Sequence, residues 1–89
     1  LISMLKAIAV EYARYGIRAN AILPGWIATD MTAMAQAAPA FSEKVIPRVP
    51  ARRWGQPADF GGIAVYLASE ASSYQSGTTT IIDGGYSIF

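Results

Sequence analysis

Side chains able to do chemistry are few in this sequence, and their types narrow what it can catalyse. The 89 residues carry six carboxylates, five tyrosines, Lys6 and Lys44, and a scatter of Ser and Thr hydroxyls. Cysteine and histidine are absent. That excludes a disulfide framework, a thiolate or imidazole metal site and the commonest general base. No two carboxylates stand at a spacing suited to paired acid–base work. The P-loop, the GxSxG elbow and the GxGxxG dinucleotide turn do not occur. Tyr12 and Tyr15 recur at helical spacing and read as core or interface, and Lys6 as the solvated end of a helix. No catalytic residue and no metal ligand is therefore assigned.

One stretch rises above this background, Asn20-Ala-Ile-Leu-Pro-Gly-Trp-Ile-Ala-Thr-Asp30. A short apolar run enters Pro24-Gly25 and turns outward. If the run is a strand of an open α/β sheet, the turn lies over the carboxyl end of that sheet, where ligands bind. Proline stiffens the turn, and glycine would let a flat ligand approach the backbone. Free backbone groups and the Thr29 hydroxyl could then bond an amide or a phosphate oxygen.

The elements that must position this turn follow from pattern. Leu1, Leu5, Ile8, Tyr12 and Tyr15 recur at three- and four-residue steps, which predicts a helix ending at Gly16, with Glu11 and Arg14 paired on its solvated side. The chain opens inside this pattern, without Met and without a capping residue, and so reads as a helix cut in its middle. IRANAIL, residues 17–23, predicts a buried strand. Residues 24–56 hold four of the five prolines. They predict short helices over Met31–Ala38, capped by Thr29 or Asp30, and over Pro39–Ile46, with no regular structure around Pro47 and Pro50. Such an excursion suits a mobile lid or substrate loop, set at residues 26–56. A third helix starts at Pro57, with Asp59 in its first turn and Phe60, Ile63, Ala64 and Leu67 as its apolar stripe, and ends near Ser69-Glu70. TTTIID, residues 78–83, predicts a strand stopped by Gly84-Gly85. The alternation argues for a parallel sheet with helices on its faces, of which two strands are only a part.

Composition points the same way. Hydrophobic residues make up 53% and charged residues 15%, against ~25% charged in ordinary soluble domains. A chain this short buries only ~60% of its unfolded surface, so the sequence is expected to be a piece of a larger domain or part of an oligomer. Net charge of +1 leaves no footprint for nucleic acid. No run approaches a membrane span or a secretory leader, and a cytoplasmic location is the default expectation.

These residues carry a family resemblance that covers essentially the whole chain. Gly16-Ile-Arg-Ala-Asn20, Pro24-Gly-Trp-Ile-Ala-Thr-Asp-Met31, Pro50-Ala-Arg-Arg-Trp-Gly-Gln-Pro-Ala-Asp59, Tyr66-Leu-Ala-Ser69, Ser76-Gly77 and Asp83-Gly-Gly85 occur in this order. Together they resemble the C-terminal part of a short-chain dehydrogenase/reductase, a doubly wound α/β fold of Rossmann type. The resemblance implies an oxidoreductase that moves a hydride between NAD or NADP and a secondary alcohol or ketone. It implies that Pro24 and Gly25 form a wall beside the nicotinamide. The Ile27 backbone would bond the carboxamide, and the Thr29 hydroxyl the carboxamide or the diphosphate.

The loop from Met31 to Arg53 matches the family's substrate lid, with Trp26, Met31 and Met34 as candidates for an apolar substrate pocket. Asn20, Arg53, Gly55 and Asp83 are expected to brace turns and helix ends. The family's glycine-rich turn, catalytic serine and Tyr-x-x-x-Lys pair have no match in these residues. A non-catalytic binding or assembly module that keeps this half of the fold is the alternative. Self-association, as a homotetramer, is expected from the small residues Gly61, Gly62, Ala64 and Ala68, from the apolar tail Tyr86–Phe89, and from the resemblance.

Overall fold

A computed structural model describes all 89 residues. Helix α1 spans Ile2–Glu11 and strand β1 Ala21–Pro24. Helices α2 (Ala33–Ala37) and α3 (Pro39–Val45) follow, then α4 (Gly61–Ala68) and strand β2 (Thr79–Ile82). Tight 3₁₀ turns join them. The two strands pair in parallel, with Ala21 opposite Thr79 and Pro24 opposite Ile82. This is the α/β order and the parallel pairing expected from the alternation.

Several boundaries differ from the sequence reading. Helix α1 stops at Glu11, and Ala13–Tyr15 continue as a 3₁₀ turn before Gly16 takes the left-handed conformation at φ 75°. The tighter winding spoils the expected Glu11–Arg14 pair, and Arg14 instead lies over the Tyr15 ring, 4.9 Å from its centroid. The strand begins at Ala21, not Ile17. Arg18 and Asn20 are drawn into polar bonds with residues 67–78, and their neighbours bond side chains as well as backbone. Pro24 falls inside the strand. Ala21 and Gly25 donate toward β2, so the alternate position of Pro24 turns its nitrogen away and costs no ladder bond. The third predicted helix is a 3₁₀ turn over Pro57–Phe60 that becomes α-helical only from Gly61. Pro47 sits within a 3₁₀ turn, Ile46–Arg48, where no regular structure was expected. The tail also coils, over Tyr86–Ile88.

Burial is sparse. Only Ala9, Val45, Val49 and Ser72 are buried. Val45 and Val49 hold the end of the segment that follows β1, where the Ala51 N–H also donates to the Gly84 carbonyl at 3.0 Å. The apolar stripe of α1 finds little cover, and Leu1, Ile8, Tyr12 and Tyr15 are exposed. No helix is long and apolar enough to cross a membrane.

Candidate functional site

The Pro24–Asp30 turn leaves the carboxyl end of β1 and is held at two levels. Gly25 stays on the sheet, donating to the Ile82 carbonyl at 3.0 Å. Two residues on, Ile27 bridges Gly55 in parallel fashion. The Gly55 N–H donates to the Trp26 carbonyl at 2.8 Å and the Ala28 N–H to the Gly55 carbonyl at 2.7 Å. The bridge ties together the two ends of residues 26–56, which thus form an excursion with a fixed base. Thr29 then takes an extended conformation ahead of a 3₁₀ turn, Asp30–Thr32, as its proposed capping position requires.

Pro24, Ile27 and Thr29 share one open, mostly apolar concavity of about 380 Å³ with Pro57 and Phe60. The Ile27 N–H bonds no group of the chain. The exposed lining of the concavity is almost wholly apolar, a surface suited to the face of a flat ring. Thr29 is exposed at its edge.

Gly25 packs against the segment that follows β2. A Cβ there would lie 2.6 Å from the Cβ of Asp83. The glycine thus lets the turn approach the Asp83 segment closely. It lines a second concavity, of about 410 Å³, with Leu23, Trp26, Ile81 and Tyr86. Pro24 is the wall common to both.

Trp26 anchors an aromatic cluster. Its ring meets Phe41 edge-on at 5.3 Å between centroids, and Trp54 and Tyr86 at 6.2 Å each. Arg48 caps Tyr86 from 5.7 Å. These geometries favour the ring quadrupoles and fasten α3 and the tail to the turn. Met31 and Met34 do not join them. They are 97% and 89% exposed, and neither lines either of these two concavities.

The bracing residues act as expected. Asn20 donates to the Gln75 carbonyl at 3.0 Å and accepts the Thr78 N–H and hydroxyl at 3.1 and 2.7 Å. Arg18, which the sequence reading passed over, donates to the Leu67 carbonyl at 3.0 Å and the Gln75 carbonyl at 3.2 Å, closing the end of α4. Arg53 grips Asp59 with two bonds, of 2.8 and 3.1 Å. Asp59 also accepts the Gln56 N–H at 2.7 Å. Its carboxyl is lowered to about 2, by the Arg53 hydrogen bond first and the Gln56 N–H second. Asp83 accepts the N–H groups of Gly85 and Ser87, both at 2.9 Å. Bonds from Ser87, side chain before backbone, lead the causes that hold its carboxyl below the ordinary value.

A family model described as enoyl-(acyl carrier protein) reductase matches residues 1–87. The 2-dehydro-3-deoxy-D-gluconate 5-dehydrogenase of Dickeya dadantii is 42% identical over 86 residues, covering 97% of this chain and 34% of that protein. The crystal structure of a gluconate 5-dehydrogenase from Burkholderia cenocepacia, in complex with NADP and tartrate, superposes with a TM-score of 0.91 at 38% identity. That match covers 97% of this chain and 34% of the other. A 4-hydroxyisoleucine dehydrogenase complexed with NADH gives a TM-score of 0.92 at 30% identity, over 99% of this chain and 36% of the other. The chain spans about a third of the length of the curated relatives it matches.

Proposed function

The chain belongs to the short-chain dehydrogenase/reductase family, and from that premise we propose that it forms the C-terminal part of a Rossmann-type domain in an NAD- or NADP-dependent oxidoreductase. When bound, the dinucleotide supplies the hydride donor or acceptor for a secondary alcohol or ketone. The observation that carries the reading is the unpaired Ile27 N–H beside the Pro24 and Phe60 wall, at the carboxyl end of a parallel pair. A carboxamide oxygen accepts from such a donor while the ring lies on the apolar wall.

The roles follow from that arrangement. Pro24 and Gly25 set the wall, the second by letting the turn close on Asp83. Ile27 orients the carboxamide, and Thr29 bonds the carboxamide or the diphosphate from the rim. Trp26 stands on the substrate side, and Met31 and Met34 meet the substrate when the lid closes. Proton transfer is left to residues outside these 89. The exposed apolar surface of α4 and of the tail, Val65, Ile88 and Phe89 among it, supports assembly into a homotetramer.

Because relatives are named for gluconate derivatives, a secondary alcohol of a polyhydroxy acid is the first substrate class to test. The complete protein is mixed with gluconate and either dinucleotide, and reduced nicotinamide is followed by absorbance. Turnover with one of the two is expected. Absence of both turnover and dinucleotide binding, across a panel of polyhydroxy acids and polyols, would overturn the proposal.

A further inference from the structure

The two polar groups of the Ile27 backbone share a side. Gly55 bonds the Trp26 carbonyl and the Ala28 N–H. In trans peptides C=O and N–H point in opposite directions, so the Ile27 N–H and carbonyl both turn away from Gly55. The carbonyl accepts the Thr32 hydroxyl at 2.7 Å. That same hydroxyl accepts the Thr29 N–H at 2.9 Å and Gln36 Nε2 at 3.0 Å. The hydroxyl oxygen also lies 3.1 Å from the Thr29 carbonyl oxygen, a second acceptor for the same proton. One donor and two acceptors are all that a hydroxyl has, and here every one is spent on the turn or on α2. Gln36 adds a bond from Nε2 to the Thr29 carbonyl at 3.2 Å. Turning its amide over would set oxygen against oxygen there, so its orientation is fixed.

We propose that Thr32 is a positioning residue for the nicotinamide site, and that Gln36 fastens the lid helix α2 to that site through it. Thr32 occupies the Ile27 carbonyl and holds the Thr29 backbone, so that Ile27 offers its N–H as the free donor. The inference rests on the cofactor reading of the turn.

The test titrates the complete protein with the reduced dinucleotide and with ADP-ribose, or its 2′-phosphate, which lacks the nicotinamide and its carboxamide. Thr32→Val should bind the dinucleotide about three- to tenfold more weakly, the loss expected for one net hydrogen bond. Its affinity for ADP-ribose should be unchanged, and Thr32→Ser should restore dinucleotide binding. Gln36→Leu should show a smaller loss of the same kind, which keeps the test open if the valine variant folds poorly. A Thr32→Val protein that holds the dinucleotide as tightly as wild type, or loses both ligands equally, overturns the positioning role. A wild-type protein that binds neither dinucleotide better than ADP-ribose overturns the cofactor reading, and this inference with it.

Discussion

Gly25 and Asp83 meet backbone to backbone where the two strands end. A side chain on residue 25 would press on the Asp83 Cα at 2.7 Å as well as on its Cβ, and neither atom can swing aside. Gly25→Ala should therefore cost about 1–3 kcal/mol of stability, the usual range for overpacking. Thermal and denaturant unfolding of the complete protein will show it. An alanine variant as stable as wild type would mean that the strand ends are free to separate.

Arg53 and Asp59 form the chain's one ion pair, with side chains 56% and 33% exposed. The folded carboxyl titrates at about 2, below its ordinary 3.8. A depressed carboxylate contributes stability that is complete above the unfolded value and lost as pH falls through the folded one. The melting-temperature gap between wild type and Asp59→Asn should hold steady from neutrality down to 3.8 and close as pH falls toward about 2. A gap already closing near neutral pH would contradict the bidentate geometry.

Thr29→Val in the complete protein should weaken dinucleotide binding by about 0.5–1.5 kcal/mol if the hydroxyl meets a neutral group, or about 1.5–3 if it meets the diphosphate. Substrate affinity should change less. Calorimetric titration checks both, and an unchanged dissociation constant removes Thr29 from the site.

Assembly is tested at α4 and at the tail. A Cβ on Gly62 would touch nothing within the chain. If that face stayed in solvent, Gly62→Ala would stabilise the helix by about 0.5–1 kcal/mol. As a subunit interface it should instead weaken the oligomer, and so should removal of Ile88 and Phe89. Light scattering at micromolar concentration distinguishes the two results.

Much of this architecture was legible in the residues. An apolar run between Gly16 and Pro24-Gly25 marks a strand, and helix–strand alternation marks parallel pairing, because burial and turn chemistry are local. Asp59 could be placed in the first turn of its helix for the same reason, whereas the bracing role of Arg53 came with the family resemblance. What the residues withheld depends on distance. The Trp26, Phe41, Trp54 and Tyr86 cluster joins segments with no common period. The purpose of Gly25 shows only once Asp83 lies beside it. The winding of the helix ends turns on small differences between 3₁₀ and α geometry. The Thr32 relay left one trace, a Thr-x-x-Thr spacing ahead of a helix, close to a capping box. Nothing in that spacing announced Gln36 or the Ile27 carbonyl.

The most direct test of the central claim reads the Ile27 amide itself. In the complete protein, labelled with ¹⁵N at isoleucine, the Ile27 resonance is followed as NAD or NADP is added, and again with ADP-ribose. A large shift of the Ile27 amide proton is expected with the dinucleotide, as its free N–H gains an acceptor, and little change with ADP-ribose. An Ile27 amide that stays in place while the dinucleotide binds would contradict that claim.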